Sequence, residues 1–451
     1  MRLWFHSLSI WTALVTISFA QDSTEGVQNA NHVFNAIHAV MRHPILSEYP
    51  NGVSFFLATI PKGIQFYHGT GEEHPVTGLE WLAFEPEHSL GFAHRSGRRL
   101  EPRERETSQK PLKEKDPLAS THGYLHTYVS AKDLRLLYLD GVSAGPMRSL
   151  EAQDRILFND SIPHNERPGG GRPGKRSEVE QRGKKLGGPP SEQARALQAC
   201  QMAEEKWAGR IDGLLRTEGD FEIILCHFER DLGLVRISET KPQKSSGNDS
   251  HGPGGKKPGR KPGRAVTSRY DDLRGHQAII DFDHVVSAYT YNLDLFPNNT
   301  KLPQLSHITP EELIPIQLAI DSMILNNEPS RSAFNWQVVT DVVIDRYSSQ
   351  LRSVADGDFQ SLVALREKLE TFLEPFIDYK DYQNSYAIID SCQRQLIPHS
   401  APDSGLASEA VRYILHRICT TFTYTLLDSQ MDLETAVEGF AELVSYLSWV
   451  E

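Results

Sequence analysis

The 451-residue chain lacks the short signatures of several common catalytic sites. It has no phosphate-binding loop of the Gly-x-x-x-x-Gly-Lys-Ser/Thr kind and no His-Glu-x-x-His. These absences remove the P-loop nucleotide site and the zinc-protease helix from consideration. Positive charge is also short. Lys and Arg number 47 against 59 Asp and Glu, leaving a net charge of −12, which argues against wholesale nucleic-acid binding. Beyond the first twenty residues no apolar run is long enough to span a bilayer. His32, His38, His43, His122 and His126 have no metal-ligand spacing to a second cluster, so they read as surface or core histidines and no metal is expected. No internal repeat is visible.

What is present points to export. Arg2 precedes an apolar stretch over 3–19, and Ser18-Phe19-Ala20 is a small-x-small cleavage site. The mature chain is expected to begin near Gln21 and to be extracellular. The four cysteines, Cys200, Cys226, Cys392 and Cys419, allow three connectivities. Local pairing, Cys200 with Cys226 and Cys392 with Cys419, is favoured because each bridge closes a short loop within one region. Asn159, Asn248 and Asn298 each open an Asn-x-Ser/Thr sequon, as expected of an exported glycoprotein.

The chain divides by composition. Segments near 95–120, 164–190 and 241–268 are rich in charge, Gly and Pro and poor in apolar residues. Ordering them would cost entropy with no burial in return, so they read as disordered, protease-sensitive insertions. Between them, 31–42 reads as an amphipathic helix with Val33, Phe34, Ile37 and Val40 on one stripe. Strands are expected over 53–58, 64–67, 124–129, 134–139 and 221–228, with 233–238 a candidate partner of 221–228 and more strand over 278–291. A helix is expected over 193–215. From Thr309 the pattern becomes helical. Thr309-Pro310-Glu311-Glu312 is a capping box with proline at the first helical position, and helices follow over 311–325, 335–355, 359–372, 382–396, 406–427 and 433–449. The expected class is α+β, with a strand-rich domain over 28–295 and an all-α bundle over 305–451, after a leader over 1–20.

Two motifs carry chemistry. The first is Tyr67-His68-Gly69-Thr70, an imidazole beside a backbone with no side chain, which a flat ligand can approach closely. The second is Gly78-Leu79-Glu80-Trp81-Leu82-Ala83-Phe84, an aromatic strand followed by a short helix over 85–93 with Ser89 and Phe92 facing inward. Together they resemble the nicotinamide-binding half of ADP-ribosyltransferases of the diphtheria toxin and poly(ADP-ribose) polymerase class. The whole chain also looks like a group of secreted proteins of filamentous fungi.

The resemblance implies NAD as substrate and an ADP-ribosyltransferase-like lobe. It implies that His68 holds the ribose, the Gly69 backbone the carboxamide, and Trp81, standing where the family has tyrosine, the nicotinamide ring. Thr70 and Phe92 complete the cofactor site. Such enzymes need a carboxylate against a cationic sugar. Glu222, an acid inside the apolar strand Phe221-Glu222-Ile223-Ile224-Leu225, is the candidate catalytic residue beside His68, with Asp140 and Glu87 as rivals. The implied function is ADP-ribose transfer to a macromolecular acceptor, or NAD hydrolysis. The alternative is a non-catalytic secreted binding protein that keeps the lobe as a scaffold. The basic run 255–264 resembles a minor-groove hook, but in an exported chain it reads as a linker, a contact for acidic glycans or a protease target. Arg98-Arg99 and Lys175-Arg176 are dibasic sites of the kind that secretory endoproteases cut.

Overall fold

The structure is a computed structural model that describes residues 29–42, 51–93, 123–141, 152–161, 190–217, 221–241, 277–328 and 333–449. The leader, most of the three insertions, both dibasic sites, the basic run and the sequon at Asn248 lie outside the described residues.

In chain order the elements are α1 (Ala30–Ala39), β1 (Asn51–Ile60), β2 (Gln65–Thr70), β3 (Glu80–Ala83), α2 (Pro86–Leu90), β4 (Tyr124–Ser130), β5 (Leu134–Gly141), α3 (Pro190–Gln201), β6 (Gly213–Thr217), β7 (Phe221–Leu225), α4 (Phe228–Asp231), β8 (Leu232–Glu239) and β9 (Ile279–Ser287). Helices α5 (Pro310–Asn326), α6 (Trp336–Ala355), α7 (Leu362–Leu373), α8 (Ser385–Gln395), α9 (Leu406–Leu427) and α10 (Leu433–Leu447) follow. The chain is therefore α+β, with a strand-rich first part and a helical second part.

The nine strands among the described residues form one sheet in the order β8-β4-β2-β3-β7-β6-β5-β1-β9. Every pairing is antiparallel except that of β5 with β6. Apolar alternation explains the inner strands. Phe55 and Leu57 of β1 alternate with Phe56 and Ala58, and all four are buried because both faces of the sheet are covered. On one face Tyr138 of β5 packs near Phe56, ring centroids 5.9 Å apart, and its hydroxyl accepts from the Met41 N–H at the end of α1. On the other face α3 lies over β6. One buried apolar cluster runs from α1 through the sheet to α10.

Two expectations are corrected. The helix expected over 193–215 stops early. Ala208 and Gly209 both have positive φ (50° and 68°), which ends the helical run, and Leu214 and Leu215 enter β6 instead, beside Leu137 and Tyr138. β8 pairs with β4 rather than β7, because α4 intervenes and carries the chain away from its predecessor.

The helices of the second part start where side chains satisfy their free N–H groups. The Glu312 carboxylate accepts from the Thr309 N–H at 2.8 Å, closing the capping box of α5. At α6, α7, α8 and α10 the preceding residue does the capping: the Asn335, Ser361, Asn384 and Asp432 side chains accept from N–H groups of the first turn. The α1 helix is clasped by this helical part. Asn31 Nδ2 donates to the Tyr446 carbonyl at 2.6 Å, and Arg42 and His38 both reach Asp341 on α6, at 2.6 and 2.8 Å. Both local disulfides are present. Cys200–Cys226 joins α3 to the end of β7, and Cys392–Cys419 joins α8 to α9. No helix among the described residues is long and apolar enough to cross a membrane.

Candidate functional site

Strand register decides which of the motif residues can meet. Neighbouring residues on a strand point to opposite faces. Tyr67 pairs with Ala83, Ala83 with Glu222, Trp81 with Ile224, and Glu222 with Arg216. Tyr67, Trp81, Glu222 and Arg216 therefore share one face. His68 is one residue on from Tyr67 and lies on the other face, opposite His126 on β4. The sheet brings Trp81 and Glu222 to one side and His68 to the other.

On the Glu222 side the chemistry is a buried ion network. Arg216 is 1% exposed. Its Nε donates to Glu222 Oε1 at 2.8 Å, its Nη2 to Glu192 Oε2 at 2.6 Å and its Nη1 to Gln153 Oε1 at 3.2 Å. Glu192 also accepts from Arg195 at 2.6 Å, and Arg195 forks onto Asp154 with bonds of 2.7 and 2.6 Å. Acid and base alternate along Asp154, Arg195, Glu192, Arg216 and Glu222. Burial alone pushes the Glu192 carboxyl up, but the two guanidiniums overcome it and hold it below the usual range. Of this network the sequence reading singled out Glu222 alone and missed Arg216, Glu192, Arg195 and Asp154. The readable signal was an arginine after two leucines on β6, six positions from an acid on the next strand.

On the other face His68 is buried. Its Nδ1 donates to the Trp81 carbonyl at 2.7 Å, which fixes the tautomer, since a carbonyl can only accept. Its ring packs edge-on against Phe228, centroids 5.6 Å apart. Burial drives its pKa down to about 4, with the bond to Trp81 opposing and His126 adding to the drop. Beside it His126 Nε2 donates to the Glu72 carbonyl at 2.9 Å, and its Nδ1 lies 3.2 Å from the Tyr128 hydroxyl, which accepts from the Val76 N–H. Burial raises the Glu80 carboxyl, on this same face, to about 7. His68, His126 and Tyr128 are buried, and with the half-buried Glu80 they form a titratable cluster under the segment 71–79. Sequence reasoning missed Glu80 and treated His126 as unremarkable, and only the β2–β4 register reveals the pairing.

The remaining motif residues have structural surroundings. A Cβ on Gly69 would lie 1.8 Å from the Ser89 carbonyl oxygen. The space beside Gly69 is thus filled by α2, and helix packing accounts for the glycine. Ser89 is buried, but Phe92 is 50% exposed, which corrects its inward assignment: the helical run ends at Leu90, and Phe92 follows it onto the surface. Thr70 Oγ1 accepts from the Glu72 N–H at 3.3 Å, at the end of β2. Glu87 is an exposed first-turn residue of α2. Asp140 is buried at the end of β5, four strands from β2 in the sheet order. Among the described residues no group of three or more His, Cys, Asp or Glu is placed to hold a metal.

Comparison with known proteins corrects the family resemblance. Residues 23–124, the stretch that contains both motifs, match the model of the YPL277C N-terminal domain. The chain is 24% identical over 435 residues to the uncharacterized protein YPL277C of Saccharomyces cerevisiae, covering 81% of this chain and 85% of that one. It is 31% identical over 227 residues to the uncharacterized protein YOR389W of the same yeast, covering 47% of this chain but 34% of the relative, so it spans about a third of that protein. These findings overturn the ADP-ribosyltransferase resemblance: the stretch with the His68 and Trp81 motifs matches a different family model, and neither relative is described as such an enzyme. They also replace the likeness to proteins of filamentous fungi with yeast relatives. No solved structure matches.

Proposed function

We propose that the chain is a secreted, non-catalytic interaction protein whose sheet is a rigid scaffold. The observation that carries this reading is the state of Glu222. Its carboxylate is taken up by Arg216 on the face of the sheet opposite His68, so the two residues do not converge on one ligand. A carboxylate already neutralised by a buried guanidinium has little charge left to stabilise a developing cation. Exposed apolar pairs support an interaction role. Ile314 and Leu318 stand one turn apart on α5, as do Val338 and Val342 on α6, and solvent-facing apolar pairs of this kind suit a macromolecular partner better than a small substrate. Two disulfides fit an oxidising, extracellular setting.

The test is NAD turnover by the purified chain starting near Gln21. The expected result is no nicotinamide release above the buffer rate, with or without added protein acceptors. Release that disappears in Glu222→Gln would overturn the reading and make NAD the substrate.

A further inference from the structure

The three sequons are chemically unequal. Asn159-Asp160-Ser161 and Asn248-Asp249-Ser250 each hold an acid in the middle and a serine third, whereas Asn298-Asn299-Thr300 has a neutral middle and a threonine third. The sequons at Asn159 and Asn298 fall among the described residues.

Asn298 stands on an anchored turn between β9 and α5. Phe296, two residues before it, stacks on His32 and on Tyr289, with ring centroids 4.6 and 6.2 Å apart. The Gln304 N–H donates to the Leu295 carbonyl at 2.8 Å, which closes the loop behind the turn. The turn itself passes through left-handed backbone, with φ of 56° at Asn298 and 57° at Asn299. Both side chains are exposed, and the Asn298 amide has no hydrogen bond among the described residues. Thr300 is half-buried, and its hydroxyl donates to the Leu302 carbonyl at 3.1 Å. Left-handed backbone by itself favours asparagine, so the variants below must separate turn from modification. Asn159 is exposed and left-handed too, with φ of 47°. Its neighbour Asp160 lies 3.7 Å from Arg155 Nε, and the Ser161 hydroxyl donates back to the Phe158 carbonyl.

We propose that Asn298 is the sequon that carries an N-linked glycan. The proposal rests on the export half of the reading above, because the transferase works in the secretory lumen. The co-substrate is a lipid-linked oligosaccharide diphosphate. Asn298 Nδ2 forms a bond to the anomeric carbon, and the carbon–oxygen bond to the diphosphate breaks. The lipid diphosphate leaves with that electron pair, and a proton from Nδ2 passes to a base of the transferase. The hydroxyl two residues on is the group the transferase grips. Threonine offers it from a β-branched side chain with restricted χ1, so less rotamer freedom is lost than with serine. An acid in the middle position sets a negative charge beside an anionic donor. Both differences favour Asn298 over the other two. The folded product has room for the sugar, since the amide is exposed and the turn is held from behind. A bulky, solubilising group of this kind belongs on such a surface.

The test is expression of the full chain with its leader in a yeast secretory host, with medium and cell fractions assayed separately. Peptide N-glycosidase turns a glycan-bearing asparagine into aspartate, which a peptide map reads residue by residue. Position 298 should read as aspartate after digestion, and positions 159 and 248 as asparagine. Asn298→Gln and Thr300→Val should each remove the whole glycan-dependent mobility shift on a denaturing gel. Thr300→Val keeps both asparagines of the turn, so its loss of the shift is not a loss of the left-handed backbone. Asp160→Gln with Ser161→Thr, which leaves the sequon at Asn298 untouched, should add a second shift of equal size. A secreted chain whose Asn298 is unmodified would overturn the assignment and leave export standing. Occupancy at Asn159 or Asn248 equal to that at Asn298 would overturn it as well. An unmodified chain confined to the cytosol would sink both the glycan and the export reading.

Discussion

Glu222→Gln separates a structural carboxylate from a catalytic one. The substitution keeps the shape of the side chain and removes its charge. Arg216, 1% exposed, would keep Glu192 at 2.6 Å and Gln153 at 3.2 Å and lose its bond to a charged partner at 2.8 Å. Removing one member of a buried pair costs about 3–5 kcal/mol. The surviving bond to Glu192 places this case at the lower end, about 3 kcal/mol. Urea unfolding followed by tryptophan fluorescence should show the midpoint falling by about 1 M, for a slope of roughly 3 kcal/mol/M, with the slope unchanged. The double variant Arg216→Met with Glu222→Leu should recover most of the loss. It deletes both charges together and leaves Glu192 paired with Arg195 at 2.6 Å, and apolar replacement of a buried pair is often neutral or better. A Glu222→Gln protein within about 0.5 kcal/mol of wild type would refute the reasoning, because Arg216 would then not depend on that carboxylate.

Asp140→Asn should change the pH dependence of stability. The folded pKa of Asp140 is raised from 3.8 to about 7, so stability is lost as pH rises through that window, by up to about 4 kcal/mol; urea midpoints at pH 5 and 8 should show the variant gaining on wild type at the higher pH, and equal gains at both would count against a buried charge. His68 runs the other way. Its folded pKa is lowered from 6.5 to about 4, so it weakens the fold as pH falls through that range, and His68→Phe should flatten the acid limb of a Tm–pH profile. Gly69→Ala should lower stability by about 2 kcal/mol or more, because its Cβ meets the α2 backbone; an alanine variant with unaltered Tm would mean the glycine is there for a ligand. Replacing Cys392 and Cys419 by alanine should cost about 2–4 kcal/mol, read by urea unfolding, and an unchanged midpoint would show that the bridge between α8 and α9 is dispensable.

The helical part was the most legible. Its apolar stripes repeat with helical period, and the capping box at Thr309 marks a start that the structure repeats. The two disulfides were legible because proximity in sequence favoured local loops. The sheet was legible strand by strand but not in its order. Pairing is a long-range choice, and nothing in 232–239 announces β4 rather than β7 as a partner. That same blindness misled the site assignment. A His-Gly pair and a strand acid look alike whether they share a face or not, and a shift of one residue in register moves a side chain through the sheet. Gly69 shows the other weakness of motif reading: an approaching ligand and an approaching helix both demand the smallest residue.

The strand order also has a topological consequence. Strands β1 to β5 precede the segment 162–189 and β6 to β9 follow it, yet the order β8-β4-β2-β3-β7-β6-β5-β1-β9 interleaves the two sets. The contacts β8–β4, β3–β7, β6–β5 and β1–β9 each join a strand from before that segment to one from after it, while both disulfides lie wholly in the later part. A chain cut once within 162–189 would run as two bands on a denaturing gel with no bridge between them, and as one particle on a sizing column. Neither piece owns a complete sheet, so each should be insoluble alone and recover its fold only when expressed with the other. The molecule is in effect two interlaced halves, able to persist as a two-chain protein after the peptide bond between them is gone.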